Sequence, residues 1–258
     1  MASKTPAVRA AILIPTYNEL SNLEIILGKI FASVPEADVL VIDDNSPDGT
    51  GDLADKLSKK DKRIKVLHRT EKNGLGPAYI EGFGWALKNK YDVIIEMDAD
   101  GSHPAEVLPA LIEAASKPGG AGLAVGSRWV PGGSVVNWPW YRKLISKGGS
   151  WYARTMLKLP VRDVTAGFVA FRADVLSKFD LSTVDSQGYC FQIDLKRRVF
   201  ENNFGIVEVP ITFREREHGV SKMSSSIVVE AMGRVTVWGF GKRLRPKKYR
   251  AEQAAAMR

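Results

Sequence analysis

The chain has 258 residues, of which 45% are hydrophobic and 26% are charged, a composition typical of one globular domain with a sizeable core. The formal net charge is +8, and the stretch KRLRPKKYR at positions 242–250 holds six basic residues and no acidic one. No run approaches the 18 or so apolar residues of a membrane-spanning helix, and the N-terminus lacks the apolar core of a secretory signal. These features argue against an integral membrane protein and a secreted one. The single cysteine, Cys190, cannot form an internal disulfide, which favours a reducing compartment.

Short apolar runs that predict strands alternate with segments that predict helices. The strands are expected at 10–14, 39–42, 64–67, 93–97 and 122–125. A helix is expected over 23–34, with capping-box spacing at 21–24, and others are expected to begin near Pro77 and Pro104. Apolar strands separated by helices predict an α/β fold with a Rossmann-like, mainly parallel sheet covered by helices on both faces.

Three polar motifs directly follow predicted strands: PTYNE at 15–19, DDNSPDGT at 43–50 and DADGSHP at 98–104. Ligands of parallel sheets bind beyond the carboxyl ends of the strands, so the three motifs should meet at one edge. The sequence contains no GxGxxG after the first strand and no GxxxxGK[ST], which argues against a dinucleotide dehydrogenase and a P-loop nucleotidase.

Asp98 and Asp100 stand two apart at the end of the fourth strand, so their side chains share one side if strand geometry persists. Carboxylates suit Mg²⁺ or Mn²⁺, and two close carboxylates repel each other without a cation. The pair therefore predicts a divalent metal site; the alternative is that Asp100 caps the helix near Pro104. His103 fits a structural role better than that of a general base. The remaining histidines, His68 and His218, show no metal-ligand spacing.

The segment 138–160, WPWYRKLISKGGSWYARTMLKLP, combines apolar and aromatic residues at helical spacing with five basic residues and no acidic one. This pattern predicts an interfacial helix on a membrane surface. The alternative is an ordinary surface helix with its apolar side in the core. Arg142 and Ser146 share one helix face and could hold a phosphate. A second amphipathic helix is predicted over 224–243, and the basic tail after it is either solvated or attracted to anionic lipid.

Eight motifs together resemble the family-2 inverting glycosyltransferases of GT-A fold, and more narrowly the dolichol-phosphate or polyprenol-phosphate mannose synthases. They span most of residues 10–225 in the expected order. They are PTYNE (15–19), VIDDNSPDGT (41–50), NGLGPAYIEGF (73–83), DADGSHP (98–104), GSRW (126–129), DVTAGF (163–168), GYCFQIDL (188–195) and REHGVSK (216–222). Two positions depart from the common family pattern: Ser102 replaces a metal-binding glutamine, and Ala166 replaces a serine.

The resemblance implies GDP-mannose as the donor, a polyprenyl or dolichyl monophosphate as the acceptor, and Mg²⁺ or Mn²⁺ as the cofactor. It implies direct attack of the acceptor phosphate on the sugar, with Asp100, Arg128 and Arg216 as catalytic residues. The residues that it assigns to the donor are Pro15, Tyr17, Glu19, Ile42, Asp44, Asp98, Ala99, Asp100, Arg128, Arg216 and Lys222. Arg128, Arg142 and Ser146 are assigned to the acceptor phosphate. Asp98 and Asp100 are assigned to the metal, with Ser102 as a further candidate.

The predicted organisation is a catalytic domain over 1–225, which includes the interfacial region 138–160, followed by an amphipathic helix and basic tail over 226–258. The expected location is cytoplasmic and peripheral on the membrane, and an integral-membrane partner protein is plausible. One alternative is a polyprenyl-phosphate glycosyltransferase that uses another donor such as UDP-glucose. The other is a non-catalytic lipid-surface or nucleic-acid binding module. The basic residues lack any nucleic-acid motif, so no nucleic-acid partner is expected.

Overall fold

The computed structural model describes residues 8–117, 119–184, 188–215 and 225–244, without side-chain detail at 189, 225–229 and 242. The strands of this part are β1 (Ala10–Thr16), β2 (Asp38–Asp43), β3 (Ile64–His68), β4 (Val93–Glu96), β5 (Leu123–Ser127), β6 (Ser134–Val136), β7 (Val169–Arg172), β8 (Ile206–Pro210) and β9 (Thr212–Arg214). Its α-helices are α1 (Leu23–Ser33), α2 (Thr50–Lys60), α3 (Leu75–Lys88), α4 (Leu108–Ser116), α5 (Trp140–Leu157), α6 (Ala173–Leu176), α7 (Gly188–Glu201) and α8 (Ser225–Leu244).

Seven strands form the central sheet in the order β3-β2-β1-β4-β7-β5-β8. The neighbouring strands run parallel except for β7, which is antiparallel to both β4 and β5. A second, two-stranded sheet pairs β6 with β9 in parallel. The predicted mainly parallel α/β sheet is confirmed, and the reversed strand β7 was not predicted.

Helices cover both faces of the sheet, as expected. On one face, α1 buries Leu23, Ile26, Leu27 and Ile30, each of which stabilises the fold by roughly 1.5–3 kcal/mol. On the other face, α3 packs closely, because a Cβ at Gly82 would lie 2.7 Å from Ile42 Cδ1 and 3.0 Å from Leu13 Cδ1. The sheet is therefore the centre of a three-layer core.

Helix α1 begins at Leu23 as predicted, but its expected cap and the predicted start of the helix near Pro104 are wrong. No side chain caps α1: the Asn22 amide at its N-cap position instead donates to Glu19 Oε2 at 2.8 Å, so the expected capping box is absent. The helix expected near Pro104 begins at Leu108, after a short 3₁₀ turn over Ala105–Val107. Pro77 lies in the first turn of α3, as predicted.

The long helices α5 and α8 pack against α7 in a hydrophobic cluster that is separate from the clusters on the two faces of the sheet. Its members include Ala153, Leu157, Ile193, Ala231 and Val235. Gly239 permits the close approach of α8 to α5, because a Cβ there would lie 3.1 Å from the Met156 carbonyl oxygen. The predicted domain boundary between residues 225 and 226 stays a prediction. Helix α8 shares this hydrophobic cluster with the preceding domain.

The aromatic side of α5 faces solvent rather than the core. Its buried residues are Ser150, Ala153 and Leu157, whereas Trp140 is 75% exposed and Trp151 is 68% exposed. The alternative that this apolar side lies in the core is therefore wrong for Trp151 but correct for Leu159, which is buried. Within the residues that the structure describes, no helix has both the length and the hydropathy to span a bilayer.

Candidate active site

The first two strand-end motifs meet at the carboxyl edge of the sheet. The Thr16 hydroxyl donates to Asp43 Oδ1 at 3.2 Å, and the Asn18 backbone N–H donates to the Ser46 hydroxyl at 3.1 Å. Asn18 and Asn45 both have positive φ, which asparagine tolerates better than most residues and which the tight turns after β1 and β2 require. Asp43, which sequence reasoning did not assign, also binds the Ser46 hydroxyl and therefore organises this edge.

The residues predicted to bind the donor nucleotide surround this edge, with differing access. Pro15, Tyr17 and Glu19 are half-buried, and Lys72 Nζ lies 3.9 Å from the Tyr17 ring centroid. The Ile42 side chain is fully buried in the core, so a nucleotide contact from Ile42 would have to use its backbone.

Asp44 is buried at the end of β2 and accepts a hydrogen bond from Arg69 Nη1 at 2.5 Å. Burial raises the pKa of Asp44, although the neighbouring Arg69 opposes this shift. Glu81 accepts from Arg69 Nε at 2.8 Å, so Arg69 joins two carboxylates at this edge of the sheet.

The DADGSHP segment forms a compact turn beyond β4. Asp98 and Asp100 are half-buried, with buried Ala99 between them. Asp100 Oδ1 accepts from the Ser102 backbone N–H at 3.0 Å, so this carboxylate stabilises the turn and does not cap α4. The proposed capping role of Asp100 is therefore wrong.

The buried His103 ring contacts the backbone of Asp98. It is 4% exposed, stacks on Phe168 with ring centroids 4.9 Å apart, and accepts the Asp98 backbone N–H at Nδ1 at 3.0 Å. In the neutral ring the proton is then on Nε2, which lies 3.8 Å from Asp98 Oδ2. The structural role predicted for His103 agrees with this geometry.

The donor set of this turn fits a divalent cation that is shared with a diphosphate. Among the described residues, no cluster of three or more histidine, cysteine, aspartate or glutamate side chains is arranged to hold a metal. Mg²⁺ typically uses one or two carboxylates together with substrate phosphates, and Asp98 and Asp100 supply two. Ser102, two residues after Asp100, is 3% exposed, and its buried hydroxyl has no hydrogen-bond partner in the described part of the chain.

A buried polar network that the sequence did not reveal lies beneath this turn. The Gln192 amide of α7 donates to Glu96 Oε2 of β4, and Lys196 Nζ donates to the Ala166 carbonyl oxygen at 2.7 Å. Burial raises the pKa of Glu96 and lowers the pKa of Lys196, because each charge has lost its water. The network ties β4, directly before Asp98, to α7.

Arg128, which directly follows β5, is buried and paired with a carboxylate. Its Nε donates to Asp163 Oδ2 and its Nη2 to Asp163 Oδ1, both at 2.7 Å, and Nη2 also donates to Thr165 Oγ1 at 3.1 Å. Glu208 accepts the backbone N–H of Asp163 at 3.0 Å. Sequence reasoning quoted the DVTAGF motif but missed Asp163 as the partner of Arg128.

A cleft of about 380 Å³ runs between α5 and α8. Arg142, Ser146 and Thr165 line it together with apolar and aromatic side chains. The Arg142 guanidinium lies 4.2 Å from the Trp138 ring centroid, and its Nη1 donates to Glu215 Oε1 at 2.5 Å. The predicted pair Arg142 and Ser146 thus shares one cleft. The predicted residues Arg216 and Lys222, and the tail beyond 244, lie outside the described residues.

Comparison with known proteins agrees with this architecture. The sequence profile described as "Glycosyl transferase family 2" matches residues 11–179. The chain is 54% identical to a polyprenol monophosphomannose synthase of Mycolicibacterium smegmatis, covering 94% of this chain and 91% of the relative. It is 55% identical to an undecaprenyl-phosphate mannosyltransferase of Micrococcus luteus, covering 92% and 96%.

Solved structures share the fold at low sequence identity. Glucosyl-3-phosphoglycerate synthase from Mycobacterium tuberculosis, in complex with Mn²⁺, UDP and glucosyl-3-phosphoglycerate, superimposes with a TM-score of 0.60 at 18% identity. The match covers 92% of this chain and 80% of that one. The sheet, the strand-end turns and the profile match together establish that this chain belongs to glycosyl transferase family 2 and has the GT-A fold.

Proposed function

We propose that this enzyme transfers mannose from GDP-mannose to a polyprenyl or dolichyl monophosphate and works at the cytoplasmic face of a membrane. The observation that carries the proposal is the cleft between α5 and α8, which is apolar along its walls and offers Arg142, Ser146 and Thr165. An isoprenoid phosphate needs both features: apolar surface for its chain and donors for its head group. The names of the bacterial relatives, which specify polyprenol and undecaprenyl phosphate and mannose, support the same substrates.

The donor side of the proposal rests on the strand-end turns. Pro15, Tyr17, Glu19, Ile42 and Asp44 surround the place for the nucleotide. Asp98, the Ala99 backbone and Asp100 face the place for the diphosphate. Arg216 and Lys222 are proposed to contact the diphosphate on the basis of the motif match.

Asp98 and Asp100 would hold Mg²⁺ or Mn²⁺, with the orphaned Ser102 hydroxyl as a further ligand or the partner of a bound water. A bound divalent cation supplies counter-charge for the diphosphate as it leaves. His103 keeps the Asp98 backbone in place through the hydrogen bond to its N–H.

The chemistry is a single displacement at the anomeric carbon. A phosphate monoester is mostly dianionic at pH 7, so its oxygen attacks without losing a proton to a protein base. The new bond joins this oxygen to the sugar carbon, and the nucleoside diphosphate leaves with the electron pair of the broken carbon–oxygen bond. Arg142 and Ser146 would orient the nucleophile, and Arg128, held by Asp163, would contribute positive charge nearby.

The exposed aromatic side of α5 is proposed to rest on the lipid surface. Trp140 and Trp151 are more than two-thirds exposed, and Lys143 and Lys147 lie on the same helix. Aromatic rings and lysines suit the boundary between head groups and acyl chains, and a cleft that opens there could receive a lipid acceptor from the bilayer. An integral-membrane partner remains part of the proposal.

The test is transfer of radiolabelled mannose from GDP-mannose to polyprenyl phosphate in vesicles, with UDP-glucose as the competing donor. We expect GDP-mannose to be used and chelation to stop the reaction. Arg142→Ala should raise the KM for the lipid at least tenfold and leave the KM for the donor nearly unchanged. Preferred use of UDP-glucose would overturn the donor assignment. An equal rise in both KM values would overturn the acceptor assignment.

A further inference from the structure

Arg142, the arginine that is proposed to hold the acceptor phosphate, already forms an ion pair with the carboxylate of Glu215. Arg142 Nη1 donates to Glu215 Oε1 at 2.5 Å, with 22% and 37% of the two side chains exposed. On its other contact, the guanidinium lies 4.2 Å from the ring centroid of Trp138, which is itself buried. The arginine is therefore held by an aromatic ring and bonded to an anion of the protein itself.

The fold brings these two residues together across 73 positions of the chain. Strands β6 and β9 pair in parallel with Val136 opposite Arg214. Glu215 directly follows β9, and α5, which carries Arg142, begins at Trp140, shortly after β6. The ion pair thus sits at the end of a small sheet that fixes both of its backbones.

Arg142 supplies the positive charge of the cleft. Of the described residues that line it, Arg142 is the charged one, and the others are apolar, aromatic or neutral polar. A phosphate that enters the cleft meets a guanidinium that already has one N–H committed to Glu215, so the two anions compete for the same cation.

We propose that Glu215 is an intramolecular competitor for Arg142, which holds the arginine in the absence of acceptor and displaces the finished product. The inference rests on the proposed function. In that reaction a phosphate monoester with nearly two negative charges becomes a diester with one, because one of its oxygens forms the bond to the sugar. The Coulomb attraction to the arginine is thereby about halved.

Glu215 carries one negative charge, as the product does, and its tether gives it a constant effective concentration at Arg142. The dianionic substrate therefore displaces Glu215 from Arg142, whereas Glu215 competes well with the monoanionic product for the same guanidinium. Competition lowers the apparent affinity of every anion by the same factor, namely the fraction of time in which the arginine is available. For a partly exposed ion pair, this factor is about two- to fivefold.

The experiment uses two soluble probes: farnesyl monophosphate, which represents the acceptor, and farnesyl methyl phosphate, a diester that represents the product. Their Kd values are measured by calorimetry on the full chain, on Glu215→Gln and on Glu113→Gln. Glu113 is a matched control, because it is an exposed glutamate of α4 that pairs with Lys117. We expect Glu215→Gln to bind both probes about two- to fivefold more tightly, and Glu113→Gln to match the wild type.

Full turnover gives a second readout. In Glu215→Gln, the KM for polyprenyl phosphate should fall while inhibition by the accumulated lipid product becomes stronger by the same factor. Unchanged or weaker binding of both probes would overturn the inference and make Glu215 a residue that positions Arg142. If Glu215→Gln does not fold, Glu215→Asp, whose shorter side chain weakens the contact, should shift both Kd values in the same direction, and no shift there would also overturn it. Failure of the wild type to bind either probe would overturn the acceptor site itself.

Discussion

Asp163 holds Arg128 in a two-pronged ion pair, with both nitrogen–oxygen distances at 2.7 Å and both side chains buried. Replacing Asp163 with Asn would leave a buried guanidinium without its counter-charge. We expect Asp163→Asn to lower the free energy of unfolding by about 3–5 kcal/mol, measured by urea denaturation.

The exposed pair of Arg172 and Asp174 provides the control for this prediction. Its atoms are slightly closer, at 2.5 Å, but the Asp174 side chain is 61% exposed. Asp174→Asn should cost less than about 1 kcal/mol, because water screens the pair. Equal losses in the two variants would show that burial does not set the strength of the Arg128 pair.

Ser102→Ala separates folding from metal binding. The buried hydroxyl has no partner among the described residues, so its removal should leave the thermal unfolding temperature unchanged or slightly higher. If the hydroxyl or a water bound to it completes the metal shell, the affinity for Mn²⁺ should fall, by about tenfold. Titration of free Mn²⁺ by electron paramagnetic resonance, in the presence of GDP, measures this affinity, and Asp100→Ala should abolish it. Unaltered Mn²⁺ affinity in Ser102→Ala would remove Ser102 from the site.

Membrane contact through α5 predicts a specific loss of vesicle binding. Trp140 and Trp151 are 75% and 68% exposed, so their replacement by Ala should not destabilise the core. The double variant should bind anionic vesicles at least tenfold more weakly in a sedimentation assay, because two interfacial aromatic side chains are lost. Ile25→Ala on α1, which removes an apolar side chain that is 54% exposed, is the control and should bind as the wild type does. Equal binding by all three proteins would refute a membrane role for this side of α5.

The buried network of Glu96, Gln192 and Lys196 predicts a pH-dependent loss of stability. Lys196→Met removes the nearby cation and raises the Glu96 pKa further above its value in the unfolded chain. The folded state then keeps a proton that the unfolded state releases, so stability falls as the pH rises above the unfolded value of about 4.3. We expect a loss of about 3 kcal/mol that is larger at pH 9 than at pH 6 in urea denaturation.

The double variant Glu96→Gln with Lys196→Met tests the cause of that loss. It removes both charges, so most of the stability should return and the pH dependence should disappear. Additive losses of the two single variants would mean that Glu96 and Lys196 do not interact.

The sequence predicted the parts of the fold that continuous apolar runs encode. Strands β1, β2, β4 and β5 were found because almost every residue in them is buried, and β3 was found from Ile64, Val66 and Leu67. Strand β8, in which every residue is half-buried or exposed, was not predicted. The reversal at β7 depends on pairing with β4 and β5, which no local pattern specifies.

The same limit applies to the candidate site. The strand-end turns with Asp44, Asp98 and Asp100 could be located because parallel strands bring their carboxyl ends together. The role of Glu96 could not, because its partner Gln192 lies 96 positions away. Glu215 was equally hidden, since its contact with Arg142 depends on the pairing of β6 with β9.

The sheet order also has a consequence for the sequence of folding events. Strands β1 and β2 pair over a short separation, with Ile12 opposite Val39, whereas β5 pairs with β8 over a long one, with Leu123 opposite Ile206. Long loop closures are slow, so we expect the half that carries Asp163 and Glu208 to form last. Pulse-labelled hydrogen exchange during refolding should protect the amides of β1 and β2 before those of β5 and β8; simultaneous protection would contradict this order. A newly synthesised chain would then have the turns after β1 and β2 in place before Glu208 reaches the backbone N–H of Asp163.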